Sequence, residues 1–170
     1  MLNVVTATGT TTVTVTTFSI VENWRYANFG TTANTGNTAD NADFDGDGIA
    51  NLIEFAFGTN PAVPAAGPLR YAGTFAGGGA IIATGQPIVR IENGNDIRAL
   101  FVRRSDYVAA GLTYAVRFSA DLSTWSPSAV VPVILADDGT NQIVSVPFPA
   151  LIVGGETRFF RVNVSRASGN

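Results

Sequence analysis

The chain contains no cysteine and no histidine, and all ten of its basic residues are arginine, so it has no lysine either. Each absence closes a branch of chemistry. Without cysteine there is no disulfide frame, no thiolate nucleophile and no thiolate ligand. Without histidine there is no Ser-His-Asp or Cys-His catalysis and no imidazole ligand for zinc or haem. Without lysine there is no Schiff base and no lysine isopeptide cross-link. Charge is scarce as well: 14% of residues are charged and the formal net charge is -3. No basic face is available for phosphate, so nucleic acid is not an expected partner. No apolar run is long enough to span a membrane. No signal-peptide pattern opens the chain, which for an exported protein is expected of a mature form or a fragment.

What is present is a sizeable apolar fraction. With 170 residues, 46% of them hydrophobic, the chain can bury a proper core, and one domain with an appendage is expected. Threonine and glycine are abundant, a composition that favours strands and turns over helices.

One stretch carries explicit chemistry: Asp43-Phe44-Asp45-Gly46-Asp47-Gly48-Ile49-Ala50-Asn51-Leu52-Ile53-Glu54. Three carboxylates stand at loop positions 1, 3 and 5, Gly48 at 6, the Ile49 carbonyl at 7 and Glu54 at 12, the spacing of a calcium loop. Alternate side chains of a tightly wound loop point at one centre, glycine allows the sharp turn, and a bidentate glutamate closes a shell of about seven hard oxygens. The expected ligands to one Ca2+ are Asp43, Asp45, Asp47 and Glu54, with the Ile49 carbonyl and a water held by Asn51 completing the shell. The role is structural, since nothing in the loop suggests an open catalytic position. The alternative is an acidic Asp-Gly turn that only solubilises a loop. Against it, the apolar run Leu52-Ile53 follows at once, and four converging carboxylates without a cation would repel one another and raise each other's pKa.

These residues resemble several calcium families. The loop matches the EF-hand pattern, and its single copy with an exiting helix is similar to dockerin repeats and thrombospondin type 3 repeats. It departs from them in three ways. Gly30 to Asn41 is a polar connector where an EF-hand has a helix, no second loop pairs with the first, and Glu54 stands where dockerins carry aspartate. The longer string from Ala39-Asp40 through Gly58-Thr59-Asn60-Pro61 resembles a unit of large secreted proteins of environmental bacteria, in which one calcium loop precedes a β-sandwich module. Tyr114 to Trp125 resembles a strand-and-turn of the same modules. The resemblance implies calcium binding and a place outside the cell or on its surface, where calcium is plentiful.

Along the chain, Val4 to Phe18 alternates, with Val5, Ala7, Thr11, Val13 and Val15 on one side and Thr6, Thr8, Thr10, Thr12, Thr14 and Thr16 on the other, a half-buried strand. Fifteen extended residues reach roughly 50 Å, beyond an ordinary strand, so the segment either bends at Gly9 or leaves its own domain. Ser19-Ile20-Val21-Glu22 reads as a capping box that opens a short helix, with Ile20, Trp24 and Ala27 on its buried face and Gly30 as its stop. Asn51 to Phe57 is expected as two helical turns ending at Gly58. Pro61 to Gly79 reads as a linker or a loosely packed leading strand. Short strands then follow at Ile81-Ile82, Pro87 to Glu92, Ile97 to Arg104, Thr113 to Ser119, Val130 to Ala136, Gln142 to Pro147 and Arg158 to Ser165. Hairpin turns are expected at Asn93 to Asp96 and Asp137 to Thr140. One parity of each strand should face inward, Ile143 or Val144 in one and Phe160, Val162 and Val164 in the last.

The expected fold is therefore mainly β: an immunoglobulin-like or fibronectin-type antiparallel sandwich over residues 62–170, a calcium-bound helix-loop-helix over 19–61, and a long N-terminal strand over 1–18. Catalysis is not expected, because the carboxylates outside the loop sit in turns, where solvation is the default. Arg103-Arg104 cannot clamp an anion as one fork, since alternate strand residues face opposite ways. Two readings remain. The first is a structural subunit of an extracellular, pilus-like filament, in which Val5, Ala7, Val13 and Val15 enter another copy of the chain head-to-tail. The second is a calcium-stabilised module for carbohydrate binding or cell-surface adhesion in a larger secreted protein. Asn163-Val164-Ser165 is a glycosylation sequon, and the threonine face is a candidate for O-linked sugar.

Overall fold

The computed structural model describes residues 17–64, 67–149 and 158–167. The strand expected from Val4 lies almost wholly outside the described residues, and Val5, Ala7, Val13 and Val15 lie outside them altogether.

Helix α1 is Ile20–Phe29 and α2 is Asn51–Phe57, with a short 3-10 turn at Gly36–Thr38 between them. The strands are β1 (Arg70–Ala72), β2 (Ala80–Ala83), β3 (Ile88–Glu92), β4 (Asp96–Arg104), β5 (Leu112–Ser119), β6 (Ser126–Pro127), β7 (Val133–Asp137), β8 (Asn141–Pro147) and β9 (Phe159–Arg166). They form antiparallel sheets, and the chain is mainly β. One sheet has the order β3-β4-β8-β7, a second β6-β5-β9, and β1 pairs with β2 alone. Among the described residues no helix is long and apolar enough to cross a membrane.

Local chemistry sets the element ends. The Ser19 side chain accepts from the Glu22 N–H, and Glu22 Oε2 accepts from the Ser19 N–H at 2.7 Å, so α1 opens on a complete capping box. Gly58 closes α2 at φ 67, a left-handed conformation that favours glycine. The β3–β4 hairpin turns through Asn93 and Gly94, both at positive φ.

The two central strands of the four-stranded sheet, β4 and β8, are buried on both faces. Residues directly opposite across strands share a face. Phe101 pairs with Val144 and Ala99 with Val146 on one side, and Val102 with Ile143 and Leu100 with Ser145 on the other. The first side meets the three-stranded sheet, where the Phe101 ring lies 6.0 Å from Tyr114 of β5. On the second side, Arg98 lies 4.5 Å over Phe75, so the segment around β1–β2 covers it, while α2 touches β4 where Arg104 lies 4.5 Å over Phe55 and reaches the three-stranded sheet, its Ala56 carbonyl accepting from the Tyr114 hydroxyl at 2.7 Å.

This corrects two expectations. Ile143 and Val144 are both fully buried, because a sheet covered on two faces buries both parities. Pro61 to Gly79 is not a loose linker: Leu69 and Phe75 belong to the main core. A third expectation also changes, because Ala27 is exposed and α1 buries Val21 and Arg25, with Ile20 and Trp24 half-buried against α2. Fully burying one such apolar side chain stabilises the fold by about 1.5 to 3 kcal/mol.

Candidate metal centre

Residues 43–48 form a sequence of tight turns in which each carboxylate is positioned by main-chain N–H groups downstream. Asp43 accepts from Gly46 and Gly48, both at 2.8 Å, Asp45 from Asp47 at 3.2 Å, and Asp47 from Ile49 at 2.8 Å. Gly48 sits at φ 91, a conformation that side-chain-bearing residues resist. The outcome is that Asp43, Asp45 and Asp47 each offer an oxygen within 4.8 Å of the others. This group could hold a metal ion, and an all-oxygen donor set suits a hard cation over zinc or copper.

Glu54 meets the loop from α2. Its side chain is fully buried, Oε1 accepts from Thr59 Oγ1 at 3.4 Å, and Oε2 has no hydrogen-bond partner. Burial pushes its pKa up to about 7, and the negative charges of Asp45, Asp47 and Asp43 push the same way while the Thr59 bond opposes them. Asp45 Oδ2 is also buried without a partner. A buried carboxylate oxygen left unpaired is costly, and a bound cation would remove that cost at both places. The residues present therefore fit a metal. Asp43, Asp45 and Asp47 would hold it, and the ion would supply charge neutralisation there; Glu54 feels the charge of these three but lies outside the group they form, and the Ile49 carbonyl is likewise not among its donors.

Asn51 is 1% exposed and its carboxamide is committed to the main chain. Nδ2 donates to the carbonyls of Asn37 at 3.0 Å and Ala39 at 2.8 Å, while Oδ1 accepts from the Phe44 N–H at 3.3 Å. The side chain stitches connector, loop and helix together.

Around the loop stand groups that no motif announced. Asp40 accepts from Arg25 of α1 and from Arg166 of β9, so the residue three places before the loop joins two distant elements. Phe44 packs on Phe29 with ring centroids 4.7 Å apart, and Trp24 lies 5.1 Å from Phe55. The aromatics were visible in the sequence, but the Asp40 pairing spans too many residues for spacing to reveal it.

Three further carboxylates among the described residues are engaged locally. Asp96 binds Arg98 and Asp106 binds Arg104, while Asp121 accepts from Thr124 and Ser123, bonds that hold its pKa below the usual carboxylate range. Arg103 donates to Gln142 on one side of β4 and Arg104 to Asp106 on the other, as strand alternation requires. Asn163 of the sequon is exposed on β9. Compared with known proteins, the chain matches no family model, no curated protein and no solved structure.

Proposed function

We propose that the protein is a calcium-stabilised structural subunit of an extracellular filament, in which the N-terminal strand of one copy completes the sandwich of the next. The observation that carries this reading is the state of the three-stranded sheet: β9 pairs with β5 on one side and with nothing on the other among the described residues. An unpaired edge is a template for another strand. A donated strand that links one copy to the next head-to-tail propagates unless its rotation closes a ring.

The strand order supports an immunoglobulin-like sandwich that is one strand short. In chain order, β3, β4, β5, β6, β7, β8 and β9 take the places of strands A, B, C, C′, D, E and F, giving A-B-E-D and C′-C-F. Strand G, which pairs with F in the complete fold, has no counterpart among the described residues.

Calcium is the cation of choice because three carboxylates, a glutamate able to bind through both oxygens and one carbonyl supply the high oxygen count it prefers. A place outside the cell, where calcium is millimolar, agrees with this reading, because even a weak site of this kind would be loaded there. The competing reading is a carbohydrate-binding module, which would use free aromatic platforms. Trp125 is half-buried, donates Nε1 to the Leu122 carbonyl and lies under Arg161, and Tyr107 packs between Tyr114 and Arg103. Both rings are thus already occupied.

Negative-stain electron microscopy of the purified protein in millimolar calcium tests the reading. Filaments are expected, thinning out or shortening when a chelator is added. A uniformly monomeric field in calcium would contradict it.

A further inference from the structure

The geometry points to a specific acceptor site: the apolar groove between the free edge of β9 and strand β3, filled by residues 4–15 of a second copy running antiparallel to β9. This inference rests on the strand-donation reading and names the surface that reading leaves open.

The first observation concerns two exposed side chains that ought to be buried. Val89 and Ile91 of β3 lie directly opposite Ala99 and Ile97 of β4, so they share the face that meets the three-stranded sheet. Ala99 is fully buried on that face, yet Val89 is 48% and Ile91 56% exposed. The cause is a mismatch in width, four strands against three. Residues 128–132 are all that join β6 to β7, which sets the β6 edge over β7 and leaves β9 on the β3 side. No described strand stands opposite β3; helix α2, which touches both β4 and β9, takes up part of the space between the sheets.

The second observation is β9 itself. In an antiparallel pair, alternate residues turn their N–H and C=O groups to the partner strand and the others turn theirs away. Half the main-chain groups of β9 therefore face a position that no described strand fills. Phe160, Val162 and Val164 pack against the core but remain only partly buried, unlike the fully buried residues of β8. One more strand beside β9 would satisfy the edge, cover these three and shield Val89 and Ile91.

The occupant follows from residues 4–15. They carry no charge, so entering a half-buried slot costs no ionic desolvation. Their Val5, Ala7, Thr11, Val13 and Val15 side would turn inward and the even-numbered threonines outward. Twelve residues reach about 40 Å against about 26 Å for the eight of β9, and the overhang is what passes between copies. Ser19, Ile20 and Val21 line one depression with Arg166 and Ala167, so the described chain begins at the C-terminal end of β9. From there a chain's own segment can reach its own groove only in parallel. A second copy's segment is free to take the antiparallel direction, which is the more stable pairing per residue.

The absence of native cysteine makes the test direct. Asn163→Cys is combined in turn with Thr8→Cys, Thr10→Cys and Thr12→Cys, each variant is oxidised in calcium, and the products are run on a non-reducing gel. A ladder of covalent multimers from at least one pair, collapsing on reduction, is expected. A fast-migrating cross-linked monomer without a ladder would overturn the second copy as occupant. Filaments in the microscope with no cross-link from any pair would overturn the groove while leaving strand donation standing. No filaments at all would remove the underlying reading. Val89→Asp gives an independent check, because the position is exposed and the monomer should melt unchanged while the concentration needed for assembly rises roughly tenfold or more. Unaltered assembly by that variant would overturn the site.

Discussion

Asp40 and Arg166 stand 126 positions apart in the chain, yet Asp40 Oδ2 accepts from Arg166 Nε at 3.0 Å and from Nη2 at 2.7 Å, while Oδ1 takes Arg25. The pairing anchors the connector that leads into the loop to both α1 and the last described strand. Replacing Asp40 by alanine removes the carboxylate bonded to Arg25, which is 2% exposed, and leaves it only the more distant charge of Glu22. Breaking a buried pair from one side costs about 3 to 5 kcal/mol. Urea unfolding in saturating calcium should show that loss as a lower midpoint with unchanged slope. A loss below about 1 kcal/mol would mean that the pair is ornamental.

Glu54→Gln should move stability in opposite directions with and without calcium. In chelator at pH 8 the variant no longer holds a buried charge beside Asp45 and Asp47, and it should melt above the parent protein. In millimolar calcium it lacks a ligand and should melt below it. Shifts of at least about 4 °C are expected, since 1 kcal/mol is worth roughly 2 to 4 °C in a chain of this size. Melting curves that move the same way in both buffers would refute the assignment of Glu54 to the metal.

The pH dependence of the calcium-free protein follows from the same residue. In the folded chain Glu54 titrates at about 7 against 4.5 for the ordinary side chain. Between those values the folded state keeps a proton that the unfolded state has lost, so stability falls as pH rises through the window and levels off above it. Glu22, Asp96, Asp121 and Asp137 are shifted downward and act below that window. Melting in chelator should therefore be higher at pH 5 than at pH 8, and saturating calcium should remove most of the difference. A calcium-free melting temperature that climbs from pH 5 to pH 8 would contradict this account.

Much of the fold was legible because its signals are local. The capping box at Ser19 and Glu22, the stop at Gly58 and the seven strands from Ile81 onward rest on spacings of a few residues, and the structure forms all of them. The inward parity of Phe160, Val162 and Val164 held as well. What was not legible depends on distant partners. Leu69 and Phe75 are core residues only because β1–β2 folds over the second face of the larger sheet, and nothing in a Gly-, Ala- and Pro-rich stretch announces that. Val21 and Arg25 displaced Ala27 because Asp40 waits for Arg25 beyond the reach of helical periodicity. In the loop, the aspartates were visible from spacing alone, whereas the commitment of Asn51 to the carbonyls of Asn37 and Ala39 depends on how the connector folds back.

Deleting residues 2–17 separates a strand given to a neighbour from one kept at home. Light scattering of the truncated protein in millimolar calcium should report a soluble monomer, circular dichroism should show the same mainly β content, and no filaments should appear at concentrations where the full chain forms them. A truncated chain that still polymerises, or one that unfolds because its own strand was part of its own sandwich, would contradict strand donation between copies.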